Sequence, residues 1–219
     1  IYGICSTCQA KITRQMKLQQ KKEENKKNLL TKFMLPVTDG PVFGLVSRLT
    51  YQKGISLILN IAEDIFSRGG FLAILGSGEA QLEIELENLR GQHPDKMLIY
   101  RGYSNQYAHD IYAGSDFFLM PSLFEPCGIG QMIAERYGSL PIARATGGLV
   151  DTIEPYKGEE DGATGFLFED FHPNALKEEI LRAFEVYANK ALFAKLRDNA
   201  MKTDHSWRAS ALKYLELYK

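Results

Sequence analysis

Two cations that follow the first apolar run of the chain are well suited to bind an anion. Arg48 and Lys53 lie five residues apart, and Gly54 comes directly before a stretch with helical periodicity. The start of a helix attracts negative charge, because its first N–H groups are unpaired and its dipole is positive there. The spacing differs from the phosphate-binding loop GxxxxGK[ST]. The pair therefore indicates an anion site, and solvated surface charge is the alternative.

A carboxylate in residues 121–131 (PSLFEPCGIGQ) could bind hydroxyl groups. Glu125 lies between Phe and Pro, and its oxygens can accept hydrogen bonds from hydroxyls. The N–H groups of Cys127, Gly128, Ile129 and Gly130 come next, at a predicted helix start where they could face an anion or a sugar. The alternative interpretation is a capped turn that carries a surface glutamate.

Three further segments contain groups that could contact a ligand. Thr146, Gly147 and Gly148 offer N–H groups at another predicted helix start. Tyr103 could pack on a nucleotide base, although core or rim packing explains it equally well. Residues 76–79 (GSGE) lack the third glycine of the dinucleotide fingerprint, so they favour a tight turn that lets the backbone approach a ligand.

The elements that must position these residues alternate along the chain. Apolar runs typical of buried strands occur at residues 42–47, 71–75, 97–100, 117–121, 140–143 and 165–168, with helical patterns between them and after residue 173. Strands apolar on both faces and joined by crossover helices pair in parallel. We therefore predict an α/β fold with a doubly wound parallel sheet of about six strands.

In such a sheet ligands bind at the carboxyl ends of the strands. All the candidate residues follow predicted strands, so they should share one edge of the sheet. Cations for a diphosphate and a carboxylate for hydroxyls together suggest a site for a sugar nucleotide.

Charge is unevenly distributed in this chain of 219 residues. The formal net charge is −1, yet residues 11–32 hold eight basic and two acidic side chains. We therefore predict a basic leader with a helical linker over residues 1–38 and a nucleotide-sugar (donor) binding domain with C-terminal helices over 39–219. Residues 1–23 are expected to form a basic helix on a solvated or interdomain surface. The near-zero total argues against nucleic acid or an anionic membrane as partner.

Few signals place the protein in a compartment. No apolar run approaches the 18 or so residues of a membrane span, and no signal peptide is recognisable, so we expect a cytoplasmic protein. Cys5 and Cys8 form a CxxC pair without further ligands nearby, which indicates chance or a labile metal or redox role. With Cys127 as the third cysteine, a reducing compartment fits best.

Five segments of the sequence resemble bacterial glycogen synthases and plant starch synthases. They are SRLTYQKG (47–54), GYSNQYAHDIYAGSDFFLMPSLFEPCGIGQ (102–131), YGSLPIARATGGLVDTI (137–153), DGATGFLFED (161–170) and SWRASALKYLELY (206–218). The resemblance covers about residues 25–219, and its QKG and FEPCG motifs are specific. It corresponds to the C-terminal half of those enzymes.

This resemblance implies the nucleotide-sugar-binding domain of a GT-B glycosyltransferase, with a Rossmann-like sheet. Such enzymes transfer glucose from ADP-glucose to an α-1,4-glucan with retention, without a metal or other cofactor. By motif, Arg48 and Lys53 would bind the diphosphate and stabilise the departing ADP, and Glu125 would face the donor sugar or ribose. The backbone of residues 127–130 would hold glucose hydroxyls, Tyr103 would lie near the adenine, and residues 146–148 would line the phosphate region.

The chain also departs from the family pattern. Leu123 stands where the family often has Arg, and Gly130 where a larger side chain is usual. No segment of the 219 residues resembles the N-terminal domain of the family, which carries most acceptor contacts, so we expect weak ADP binding and little turnover of this chain alone. The alternatives are a related GT-B enzyme that uses UDP-glucose and a non-catalytic nucleotide- or glucan-binding remnant. Location would be the bacterial cytoplasm, or the plastid in a plant.

Overall fold

A computed structural model describes residues 18–158 and 162–218 and contains a parallel sheet of six strands. The strands are β1 (Val42–Val46), β2 (Phe71–Gly76), β3 (Met97–Arg101), β4 (Phe117–Met120), β5 (Leu140–Arg144) and β6 (Phe166–Phe168). Their order across the sheet is β3-β2-β1-β4-β5-β6, and every neighbouring pair is parallel. The predicted α/β class and doubly wound sheet are confirmed.

Helices connect the strands and cover both faces of the sheet. They are α1 (Leu18–Lys32), α2 (Ile55–Ser67), α3 (Ala80–Gln92), α4 (Asn105–Gly114), α5 (Gly130–Arg136), α6 (Gly148–Thr152), α7 (Pro173–Ala188), α8 (Lys190–Lys202) and α9 (Trp207–Glu216). A 3₁₀ turn, Tyr51–Lys53, precedes α2. None of the helices in the described ranges is long and apolar enough to cross a membrane.

Side chains of β1 alternate between two cores, because successive strand residues point to opposite faces. Phe43 and Leu45 of β1 join the core that includes α2, α3, α7 and α8, whereas Val42 joins the core with α1, α4 and α5. Both sets of side chains are buried, which explains why the strand sequences are almost continuously apolar.

The helix α1 packs closely on the sheet domain, and two of its lysines are buried. Lys22 and Lys26 are 2% and 7% exposed. The prediction of a solvated or interdomain surface is therefore wrong for Lys22. Residues 1–17 lie outside the described residues, and they include the Cys5–Cys8 pair and most of the predicted basic helix.

Asp116, at the start of β4, collects these buried charges. Its Oδ2 accepts hydrogen bonds from Lys26 Nζ at 2.8 Å and Val42 N at 3.0 Å, and its Oδ1 accepts one from Arg197 at 3.0 Å. Burial disfavours the ionised carboxylate, but Lys26 and Arg197 outweigh it and hold the pKa of Asp116 below its usual value. The Lys22 ammonium donates to Ser115 O at 2.7 Å. These bonds attach α1 and α8 to the centre of the sheet.

A second buried acid connects α5 to the turn between α8 and α9. Glu135 is fully buried, and its Oε2 lies 2.5 Å from His205 Nε2. Burial raises the pKa of Glu135, and the hydrogen bonds from His205 and Thr164 offset this only in part. The pair fixes the turn that precedes the last helix.

Candidate functional site

The carboxyl ends of β1 and β4 are neighbours in the sheet, and an open cleft of about 600 Å³ lies above them. Six of the predicted site residues line it: Arg48, Lys53, Glu125, Gly128, Ile129 and Gly130. The sheet order brings these residues together, because β1 and β4 are adjacent in the sheet although three helices and two strands separate them in sequence. The cleft lies where a doubly wound sheet binds its ligands.

The central polar contact of the cleft is an ion pair between Lys53 Nζ and Glu125 Oε2. Both side chains are largely buried, and the hydroxyl of Ser122 donates to the same carboxylate oxygen at 3.2 Å. The sequence analysis treated the cation and the carboxylate as separate features, but in the structure they form one ion pair. A phosphate that enters the cleft must compete with Glu125 for the lysine.

Gly54 lets the two strand-end loops approach closely enough for this pair to form. Its φ is +73°, and a Cβ at this position would lie 2.0 Å from Pro121 O. The loops are also joined by two hydrogen bonds, Leu123 N to Gln52 O at 2.8 Å and Gln52 Nε2 to Phe124 O at 3.2 Å. A larger residue at position 54 would separate Lys53 from the Glu125 loop.

Gly147 and Gly148 support the Glu125 loop from the other side. A Cβ on Gly147 would lie 2.0 Å from Glu125 O, and one on Gly148 would lie 2.5 Å from Cys127 O. The N–H of Gly148 donates to Pro126 O at 3.2 Å. This N–H is therefore engaged within the protein, and Thr146, Gly147 and Gly148 are not among the residues that line the cleft.

The remaining predicted contacts lie at the margin. Tyr103 follows β3 and is 74% exposed, and neither it nor Cys127 lines the cleft. The exposed thiol of Cys127 lies 3.4 Å from Gly128 O.

The GSGE segment after β2 approaches a neighbouring loop of the protein closely. A Cβ on Gly76 would lie 1.9 Å from Ser47 O, and one on Gly78 would lie 2.2 Å from Leu49 O. The segment therefore makes a tight approach, as predicted, but to the backbone of the loop that carries Arg48. These glycines therefore help to position the loop that carries Arg48.

Sequence reasoning did not single out Ser122 and Tyr112, which also line the cleft. Ser122 directly follows a predicted strand and precedes the Glu125 segment by three residues, so its position was a usable signal. Tyr112 lies within a helical pattern that also fits plain core packing, and no local signal sets it apart. Among the described residues no cluster of three or more His, Cys, Asp or Glu could hold a metal ion.

Residues 21–203 match the family described as "Glycosyl transferases group 1". The chain belongs to that family. This group 1 glycosyl transferase chain is 46% identical over 200 residues to a glycogen synthase of Kosmotoga olearia and 44% identical over 199 residues to one of Bacillus anthracis. The matches cover 91% and 90% of the chain, but the chain spans only 42% of the length of each relative.

Among solved structures, the group 1 glycosyl transferase chain is similar to the catalytic domain of starch synthase IV from Arabidopsis thaliana, bound to ADP and acarbose. The TM-score is 0.83 and the identity 36%, over 91% of this chain and 42% of that one. The sequence and the structure comparisons thus agree with the resemblance of the motifs to glycogen and starch synthases.

Proposed function

We propose that the chain is the donor-binding half of a retaining glucosyltransferase of the glycogen and starch synthase type, which transfers glucose from ADP-glucose to an α-1,4-glucan. The observation that carries the proposal is the cleft at the ends of β1 and β4, in which Arg48, Lys53 and Glu125 meet. The relatives named glycogen synthase and the ADP-bound starch synthase support the choice of reaction and donor.

In this proposal the cations bind the donor diphosphate. The bond between the glucose C1 and the diphosphate oxygen breaks, so negative charge develops on the departing ADP. Arg48 and Lys53 stabilise that charge, and preorganised charges in a cleft that excludes water are effective at this task. Glu125 faces the hydroxyls of the donor sugar or ribose, and it is not assigned as a nucleophile.

The neighbouring groups hold the rest of the donor. The backbone around residues 127–130 contacts glucose hydroxyls, Tyr103 lies near the adenine, and residues 146–148 support the phosphate region through the Glu125 loop. No metal or other cofactor is assigned a role. A cation pair in the protein can supply the positive charge that a metal supplies elsewhere.

We assign binding of the glucan acceptor to a part of the relatives that lies outside the region matched by this chain. The relatives are more than twice as long as their matched parts. Catalysis in two-domain transferases depends on closure over the donor and exclusion of water. The 219-residue chain by itself is therefore expected to bind ADP weakly and to elongate glucan little or not at all.

Isothermal titration calorimetry of the purified chain with ADP, UDP and GDP tests the donor assignment. We expect ADP to bind more tightly than the other two nucleotides. Tighter binding of UDP would replace the ADP-glucose assignment with a UDP-glucose enzyme, and no binding of any nucleotide would overturn the proposal. Robust elongation of glycogen by the 219-residue chain would contradict the division of labour between two halves.

A further inference from the structure

Tyr112, on the inner side of α4, offers the cleft a hydroxyl that the proposed donor contacts do not use. The residue is only 7% exposed, and its ring stacks on Phe118 with centroids 4.6 Å apart. It nevertheless lines the cleft beside Lys53 and Glu125. No hydrogen bond joins its hydroxyl to any residue in the described part of the chain.

The hydroxyl lies next to the backbone of Gly130. A Cβ placed on Gly130 would lie 3.4 Å from Tyr112 Oη, 3.4 Å from Phe118 Cε1 and 3.5 Å from Met120 Cε. Such distances are ordinary contacts, so the site would tolerate a small side chain. Because residue 130 is glycine, the space in front of the phenol stays open to the cleft.

The chemistry of this phenol restricts what it can bind. Burial, with a smaller contribution from Tyr103, raises the pKa of Tyr112. The group therefore stays protonated at neutral pH and can donate a hydrogen bond. Because Tyr112 lines the open cleft, an acceptor oxygen that enters the cleft can take this hydrogen bond.

We propose that Tyr112 donates its phenol hydrogen bond to a phosphate oxygen of the nucleoside diphosphate in the cleft, through the space that Gly130 leaves open. The proposal rests on the proposed function, because it needs a nucleotide in this cleft. It makes Tyr112 a donor-binding residue on an element that the sequence motifs do not mark.

The test compares Tyr112→Phe with the unaltered chain by NMR titration of ¹⁵N-labelled protein, which measures weak binding. We expect Tyr112→Phe to weaken ADP binding about 10- to 150-fold, the range for a hydrogen bond to a charged acceptor. Binding of adenosine, which has no phosphate, should be unchanged. Tyr107→Phe is the control. Tyr107 lies on the same helix, but its ring packs against Tyr100 and does not line the cleft, so this variant should leave ADP binding unchanged.

A second variant keeps the test decisive if Tyr112→Phe folds poorly. Gly130→Ala adds a methyl group that the site can accommodate but that stands in front of the phenol, so it should also weaken ADP binding. Equal ADP affinity in Tyr112→Phe and the unaltered chain would overturn the inference, as would equal losses for ADP and adenosine. If the unaltered chain binds no ADP, the proposed function fails instead.

Discussion

Lys53 and Glu125 form an ion pair across 72 residues of sequence, at the point where β1 and β4 end. The carboxylate also accepts the Ser122 hydroxyl, so it is held in place while it neutralises the lysine. The charges of Lys53 and Glu125 therefore cancel each other in the unliganded cleft. A diphosphate that binds there exchanges one anionic partner of Lys53 for another.

Lys53→Ala should weaken binding of ADP. The variant removes one phosphate partner and leaves Glu125 without its counter-ion, so both effects disfavour an anion. We expect a loss of about 1–3 kcal/mol, typical of a charged hydrogen bond. Calorimetry measures it, with Lys177→Ala as a matched control because Lys177 pairs with Asp64 outside the cleft. Unchanged ADP affinity in Lys53→Ala would remove the lysine from the diphosphate site.

Glu125→Gln should have the opposite effect on the same measurement. Loss of the carboxylate charge releases Lys53 for a phosphate, so ADP should bind about 1 kcal/mol more tightly, the scale of a partly exposed ion pair. Weaker ADP binding in this variant would show instead that the carboxylate holds a hydroxyl of the nucleotide. The Lys53→Ala/Glu125→Gln double variant completes a cycle that isolates the coupling between the two side chains.

Asp116→Asn should destabilise the fold strongly. It would leave Lys26 and Arg197 buried without their counter-ion, and breaking a buried pair in this way costs about 3–5 kcal/mol. Asp110→Asn is the matched control, because Asp110 pairs with Lys32 of the same helix α1 at a more exposed position. There we expect a loss of at most about 1 kcal/mol. Urea unfolding at pH 7 gives both free energies of unfolding, and similar losses in the two variants would contradict the role given to Asp116.

The pKa of Glu135 predicts a pH dependence of stability. Because burial raises this pKa in the folded protein, the unfolded chain loses its proton first as the pH rises. The folded state then binds more protons than the unfolded chain. The free energy of unfolding therefore falls as the pH rises from 4.5, the usual pKa of a glutamate, to the higher pKa of Glu135 in the folded protein. Glu135→Gln abolishes this fall, and the variant should gain stability relative to the unaltered chain as the pH increases.

Urea unfolding of both proteins between pH 4 and pH 8 measures this difference. Glu24→Gln, which changes an exposed glutamate of α1, is the control for loss of one acid. If the curves of Glu135→Gln and the unaltered chain stay parallel over the whole range, the assignment of this titration to Glu135 is wrong.

The sequence predicted the six strands well because their residues are apolar on both faces. Phe43 and Val42 belong to different cores, and such a strand reads as a continuous apolar run. The rule that ligands bind at strand ends then placed Arg48, Lys53 and Glu125 at one edge. Six of the predicted residues do line a common cleft.

The pairings could not be predicted, because they depend on which strands are neighbours. Periodicity does not reveal that β1 lies beside β4, so the contact of Lys53 with Glu125 was out of reach. For the same reason the packing role of the glycines could not be predicted. Gly147, for example, packs against the backbone of Glu125, which lies 22 residues away in sequence. The basic segment that includes Lys22 was predicted to form a solvated or interdomain surface, because its sequence does not reveal the buried acceptor Ser115 O, to which Lys22 donates.

The position of β1 at the centre of the sheet has a consequence for the order of folding. Its partner on one side, β2, follows after one helix, but its partner on the other side, β4, begins more than 70 residues later. Pairings between distant segments form slowly, because the chain must first close a long loop. During synthesis the cleft therefore cannot form from the first part of the chain alone. It forms only after β4 has paired with β1 and the residues that follow β4 have been made.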